Sequence, residues 1–528
     1  MSTRQYKKFN FLKTQLWIPF LLYFGFTMVS CVKIKTFIPQ GGQVGSKNEI
    51  IGSGFSSDTT KNEVTFGGIN ADVLYASSEI LRVEVPNGVT RAKIKVSRGW
   101  FNSAESKTDF IPLPDYIKYK QFYSETLGIT QGYWIMYPPS FFEEGKRFPV
   151  IYALHGYTLR NPISPDFADL LEMLGWADPG EWGEHSWVFS IERAGNYFPF
   201  VAQSMMQSNS ASEFREILTN QLSVVAGKID QDKLEDVVES ITHYLPDDPD
   251  SWLSNIAEMI IVMPDGDNSY YADRLGPPEG RNEEGIGAEP SFPTSPSESP
   301  AGRLDLHVTG WYERYIMQDL FEDVEIREIG LDKLVEEDSR RFIMGISMGG
   351  GGSLNLAVRH PNKFVAVASL GAAPAFTDEF ITSEAIYMKN LLFPEQLDVF
   401  GSAPLPFNAS QEEVEAKVHL DRNYISAHNP WDILEPLNEI DLHFFIEIGE
   451  NDISDSLINP TIERAQEFID FLKEKGIPVE GGIVPAASED EPDNGNADHN
   501  QRFWRTRLGV ILKFFSDVYQ AKMLHTKK

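Results

Sequence analysis

The 528-residue sequence contains a single cysteine, Cys31, so no intrachain disulfide framework can brace it. Positive charge is also short: 46 lysines and arginines stand against 77 aspartates and glutamates, a formal charge of −31. No basic cluster follows the first residues, which argues against a nucleic-acid partner, because phosphate backbones are gripped by basic faces. Long apolar runs are equally scarce. The one candidate, 16–29, is interrupted by Pro19 and is short for a membrane-spanning helix. Metal-ligand clusters and nucleotide-binding glycine loops are missing, so no cofactor and no metal is expected. Asp265 and Asp267 in "PDGD" have a spacing that calcium could use, but the twelve-residue ligand loop and its final glutamate are absent; a structural turn is the better reading.

What is present begins with an export signal. Arg4, Lys7, Lys8 and Lys13 precede the apolar run, and small Ser30 and then Cys31 follow it. "MVSC" (28–31) resembles the lipobox of bacterial lipoproteins, in which the cysteine becomes the lipidated first residue. The resemblance implies lipidation at Cys31 and a protein exported to the cell envelope, periplasmic or at the surface, with its membrane contact made through a lipid anchor. The full chain has 42% apolar and 12% aromatic residues, enough for packed cores in more than one domain.

From residue 32 to about 112 the pattern is all-β. "EILRVEV" (79–85) puts Leu81, Val83 and Val85 on one face and Arg82 and Glu84 on the other; "AKIKV" (92–96) repeats the alternation with Ile94 and Val96. The run "FIPQGGQVG…IIGSGF…NEVTFGGINADV…EILRVEVPNGVTRAKIKVS" resembles the IPT/TIG family of small immunoglobulin-like sandwiches. That resemblance implies glycan or protein contact, or a spacer without chemistry of its own; the spacer is preferred, since fold alone supplies no function.

The character changes at 113. "PVIYALHGY" (149–157), "MIIVMPDG" (259–266), "RFIMGIS" (341–347) and "LHFFIEIGEND" (442–452) are apolar strands ending in glycine-containing turns, with helical patterns between them. Such alternation implies a mainly parallel sheet covered on both faces, with chemistry at the carboxyl ends of its strands. Gly345-x-Ser347-x-Gly349 lies between a strand and a helix pattern, the context of a strained nucleophile elbow. A serine nucleophile needs a base, and the base needs an acid to fix its tautomer. In the chain order Ser, acid, His, the acid is expected at Asp452, with Glu450 the close alternative and Asp455 a weaker one; the base is His499, in a loop before the last helix pattern. Oxyanion donors are expected from the backbone N–H groups of Met348 and Tyr157. His155 precedes the serine and is read as a buttress of its turn.

"FPVIYALHGY", "IIVMPDGDNSYYAD", "WYERYIMQDL", "RRFIMGISMGGGGSLNLAVRHPNKFVAVASLGAAP", "IEIGEND" and "HNQRFWRTRLGVILKFF" together resemble the esterase D group of α/β-hydrolases. That group includes feruloyl and acetyl-xylan esterases, formylglutathione hydrolases and mycolyltransferase-like proteins. The resemblance implies Ser347 as nucleophile, Asp452 as acid, His499 as base and an ester substrate, with Asn268, Ser269 and Tyr270 near the pocket. The sequence departs from the group in four places, one of them the poorly matched segment 376–440. A long insertion, 160–255, with helical periodicity and the aromatic-rich "WVFSIERAGNYFPF" is read as a helical cap over the site. Residues 276–302 are Pro/Ser/Glu-rich and read as a mobile loop. "ASEDEPDNGNAD" (487–498) stands where relatives have a short glycine turn before the histidine.

The expected architecture is therefore a signal (1–31), an immunoglobulin-like β-sandwich (32–112) and an α/β-hydrolase with a mainly parallel sheet and a helical cap insertion (113–522). The expected function is an exported serine carboxylesterase, with acylated or feruloylated polysaccharide as one substrate class. The alternatives are acyl transfer through the same acyl-enzyme and a surface binding protein acting through its IPT/TIG-like domain.

Overall fold

The computed structural model of the protein describes residues 31–39, 41–99, 102–156, 198–226, 231–266, 269–273, 311–372, 410–418, 420–437, 439–452 and 461–526, with Ile386, Leu397, Val399 and Phe400. The expected signal, apart from an exposed Cys31, and the loop 276–302 lie outside the described residues.

Residues 33–112 form two stacked sheets. One orders Lys33–Ile38, Lys47–Ser53, Ile80–Glu84 and Val73–Ala76; the other orders Gly41–Gly42, Ser103–Pro112, Ala92–Ser97, Glu63–Phe66 and Ile69–Ala71. The alternation read from the sequence is what closes them. Leu81, Val83, Val85, Ile94 and Val96 point inward with at most 1% exposure, and Phe66 meets Phe110 edge-on with ring centroids 4.9 Å apart.

The second unit is built on eight strands: β1 (Ile117–Ser124), β2 (Ile129–Met136), β3 (Val150–Leu154), β4 (Ile260–Pro264), β5 (Arg341–Ile346), β6 (Ala366–Leu370), β7 (His443–Gly449) and β8 (Val479–Val484). Their order is β1-β2-β4-β3-β5-β6-β7-β8. β1, β2 and β4 pair antiparallel, and every pair from β4–β3 to β7–β8 is parallel. The central strands read as unbroken apolar runs because both faces are covered. Ile151, Ile261, Phe342 and Phe445 point to one layer, and Tyr152, Val262, Ile343 and Phe444 to the other. At about 1.5–3 kcal/mol for each large side chain removed from water, these two cores hold the sheet.

The second layer contains the helical stretch 312–329, α4 (Met348–Arg359) and α5 (Thr461–Glu474). The first contains α1 (Phe198–Gln207), α2 (Ala211–Ala226), α3 (Gln231–His243) and the long α6 (Gln501–Thr526). Of the cap expected over 160–255, residues 160–197 and 227–230 lie outside the described residues, and the described helices α1, α2 and α3 pack on the sheet. Their apolar stripes, among them Phe214, Leu218, Val238 and Ile241, share one core with α6 and the sheet. Phe198 and Phe200, two of the aromatics assigned to that cap, are at most 1% exposed in this core. An amphipathic pattern announces that one helix face is buried, and here the burying surface is the sheet's own layer.

Candidate active site

Two strand ends and a loop converge at the candidate site. β5 runs straight into Ser347, whose backbone takes φ 54° and ψ −119° before α4 begins. This left-handed corner is unfavourable for a residue with a Cβ and persists because its surroundings fix it. The Ser347 N–H donates to the Leu370 carbonyl of β6 at 2.8 Å, and its carbonyl accepts from Gly351 at 3.0 Å. The flanking glycines are sterically required. A Cβ on Gly345 would lie 2.0 Å from the Gly349 carbonyl oxygen, and one on Gly349 would lie 2.3 Å from the Leu154 carbonyl oxygen. Both obstacles are backbone and cannot step aside. The corner lifts the Ser347 side chain off the sheet, and Ser347 is partly exposed.

Asp452 sits three residues past the end of β7, its N–H donating to the Gly449 carbonyl at 3.2 Å. His499 arrives from the loop before α6. Its Nδ1 lies 3.0 and 2.9 Å from the two carboxylate oxygens of Asp452, and its Nε2 lies 2.8 Å from the Ser347 hydroxyl oxygen. With Nδ1–H donating to the carboxylate, Nε2 carries the lone pair and accepts from the Ser347 hydroxyl. The Asp452 side chain has no exposed surface and that of His499 has 11%. Burial opposes charge on the imidazole, but the adjacent Asp452 carboxylate, its hydrogen bond and Asp498 outweigh it and hold the His499 pKa above its ordinary value. Trp504 stands edge-on to the imidazole, 4.9 Å between centroids, and fixes its plane. An ion pair locks the frame: the Arg507 guanidinium of α6 grips Glu447 of β7 in bidentate fashion at 2.7 and 2.6 Å. The histidine's helix is thereby tied to the aspartate's strand.

The expected alternatives to Asp452 separate by geometry. Glu450 is exposed and turned away, its carboxylate accepting the Ala486 N–H at 2.7 Å; Asp455 lies outside the described residues. Of the expected oxyanion donors, Met348 is the first residue of α4, where an N–H has no intrahelical acceptor. Tyr157 lies outside the described residues, as does Asn268. His155 does brace its turn: its Nε2 accepts the Gly266 N–H at 3.0 Å, and its Nδ1 lies 2.8 Å from the Gly156 carbonyl oxygen.

Of the residues expected near the pocket, Ser269 and Tyr270 are described. Ser269 is fully buried, its hydroxyl donating to the Gly266 carbonyl at 2.5 Å and accepting from the Tyr271 N–H at 3.1 Å. The hydroxyl thus donates and accepts within its own turn. Tyr270 is half-buried and packs against the layer that holds α4. The residue missed by sequence reasoning is Tyr271. It is fully buried at φ 55°, packs so close to Gly352 that a Cβ there would meet it at 2.6 Å, and donates its hydroxyl to the His155 carbonyl at 3.2 Å. It props both the elbow helix and the turn after β3. Adjacent tyrosines in a turn give no sign of which one points inward. Among the described residues no group of three or more His, Cys, Asp or Glu side chains is arranged to hold a metal ion.

The strand order, the elbow and the position of the serine define an α/β-hydrolase. Residues 309–429 match the putative esterase family, and residues 33–110 match the IPT/TIG domain. Each match covers one stretch of the chain: the first lies within the α/β-hydrolase unit and the second on the amino-terminal sandwich. The esterase match covers Ser347, whereas Asp452 and His499 lie beyond it. Among solved structures the chain is similar to a ferulic acid esterase, at 15% identity, covering 76% of this chain and 98% of that one with a TM-score of 0.35. It is also similar to an S-formylglutathione hydrolase from Staphylococcus aureus, at 16% identity, 76% and 98% coverage and a TM-score of 0.34. A third, the S-formylglutathione hydrolase from Agrobacterium tumefaciens, has 13% identity, 76% and 95% coverage and a TM-score of 0.37. No curated protein matches the sequence.

Proposed function

We propose that this chain is an exported serine carboxylesterase in which Ser347 is the nucleophile, His499 the general base and Asp452 the acid that orients it. His499 takes the Ser347 proton as the hydroxyl oxygen attacks the ester carbonyl. The tetrahedral oxyanion is received by the N–H groups of Met348 and Tyr157, and protonated His499 then gives its proton to the departing alcohol. Water repeats the sequence on the acyl-enzyme and releases the acid. The observation that carries this reading is the unbroken hydrogen-bond chain from the Ser347 hydroxyl through His499 to Asp452, mounted on a strained strand-to-helix corner.

The finer reading is that the ester is an acyl or feruloyl substituent on a polysaccharide and that Cys31 carries a lipid. The signal-like basic and apolar start, the position of Cys31 at the end of that apolar run and the IPT/TIG match support it, the last as a spacer or a glycan contact. The test measures acetate and ferulate released from substituted polysaccharide and from small aryl esters, with Ser347→Ala as control. Activity that survives in Ser347→Ala removes the assigned nucleophile, and turnover of small esters alone removes the polysaccharide. For the anchor, the expected result is membrane-associated protein that becomes soluble in Cys31→Ser; unchanged fractionation contradicts it.

A further inference from the structure

The loop that delivers His499 runs through three consecutive residues in the left-handed region: Gly495 at φ 68°, Asn496 at φ 59° and Ala497 at φ 48°. Alanine rarely takes this conformation, so something must over-determine it. Three asparagine side chains surround the turn. Asn494 is 1% exposed; its Oδ1 accepts the Ala497 N–H at 3.2 Å and the Ala487 N–H at 3.0 Å, and its Nδ2 donates to the Pro485 carbonyl at 2.9 Å. Asn500 donates Nδ2 to the Gly495 carbonyl at 2.8 Å while its Oδ1 caps the start of α6 through the Phe503 N–H at 3.0 Å. Asn451, the neighbour of Asp452, donates Nδ2 to the Asn496 carbonyl at 3.0 Å and its own N–H to the Ala497 carbonyl at 3.2 Å. The carbonyls of all three left-handed residues are therefore taken, two of them by the residue beside the acid.

We propose that Asn451, Asn494 and Asn500 are positioning residues that hold His499 in register with Ser347 and Asp452, Asn451 by tying the acid's turn directly to the base's loop. This rests on the triad reading above. It assigns a purpose to the long segment that replaces a short turn before the histidine: the segment brings its own scaffold, and Asn451 couples that scaffold to β7. Asn451 is exposed, so its side chain contributes little packing, and its removal acts on the alignment of the two catalytic groups more than on the fold.

The experiment uses the full chain and an activated aryl acetate. Asn451→Ala is expected to lower kcat about tenfold with KM within about twofold, because loss of alignment acts on the transition state. The acid limb of its pH–rate profile moves to lower pH, since a His499 less closely held by Asp452 loses the interaction that raises its pKa. Asn451→Gln, which keeps the donor, recovers most of the rate. Asn494→Ala is expected to show the same shift of the acid limb. Unchanged kcat and acid limb in Asn451→Ala overturn the proposal; so does a rate loss that tracks a fall in Tm with the acid limb unmoved, which is the signature of simple destabilisation. Ser347→Ala separates the two readings. If it stays active, the triad itself is wrong, whereas an inactive Ser347→Ala beside an unaffected Asn451→Ala defeats only the asparagine scaffold.

Discussion

Replacing Asp452 by asparagine changes the charge and proton chemistry at Nδ1 of His499 while keeping the side chain's shape. In the native site both carboxylate oxygens lie within 3.0 Å of Nδ1 and the carboxylate is shielded from solvent. The amide can present its NH2 to Nδ1, which forces the proton onto Nε2 and points a donor at the Ser347 hydroxyl, leaving no base. It can instead present its carbonyl, which keeps the tautomer but leaves the imidazolium formed in the transition state without its counter-charge. In a Ser-His-Asp triad this substitution costs about 10⁴ in kcat, or ~5 kcal/mol of transition-state stabilisation. Substrate binding does not use Asp452, so KM stays within about threefold. The assay is steady-state hydrolysis of an aryl acetate from pH 5 to 9, with circular dichroism to show that the variant is folded. A folded Asp452→Asn that keeps kcat within about tenfold of the native enzyme refutes the assigned role.

Because Asp452 holds the His499 pKa above its ordinary 6.5, and only neutral imidazole accepts the serine proton, kcat/KM is expected to rise with pH through a midpoint above 6.5. A midpoint below that value, read from a pH–rate profile, contradicts the electrostatics described. Gly349→Ala, whose Cβ would lie 2.3 Å from a backbone oxygen, is expected to destabilise the fold by ~3 kcal/mol or more. Gly351→Ala two residues along meets nothing within 4 Å and is expected to stabilise α4 by ~0.5–1 kcal/mol, a contrast that thermal denaturation resolves. Arg507→Ala strands a nearly buried Glu447 and is expected to cost ~3–5 kcal/mol in urea titration; a cost under ~1 kcal/mol shows that the clamp is not structural.

Much of this arrangement is legible in the sequence because its signals are local. Strands buried on both faces appear as uninterrupted apolar runs, and each announces its carboxyl end with a glycine-containing turn. Gly345 and Gly349 are readable because the corner tolerates no Cβ at either position. Chain order then reduces the choice of base, since only His499 and His525 follow Asp452. The choice between Asp452 and Glu450 is different in kind. Both lie just past the same strand, and only the distant Ala486 N–H, which captures Glu450, and His499, which meets Asp452, distinguish them. The same limit explains the insertion helices. Their amphipathic pattern reports a buried face but not whether the surface opposite is a substrate cleft or the sheet. Tyr271 and the three asparagines were unreadable for the same reason: their partners lie far along the chain or depend on turn geometry that adjacent similar residues conceal.

The central claim is that Ser347 is an activated nucleophile, and it is tested most directly by reacting the purified chain with a fluorophosphonate probe and mapping the labelled peptide beside a Ser347→Ala control. The account predicts one label, on Ser347, lost in the control. A folded protein that takes no label, or takes it elsewhere and keeps it in Ser347→Ala, contradicts the account.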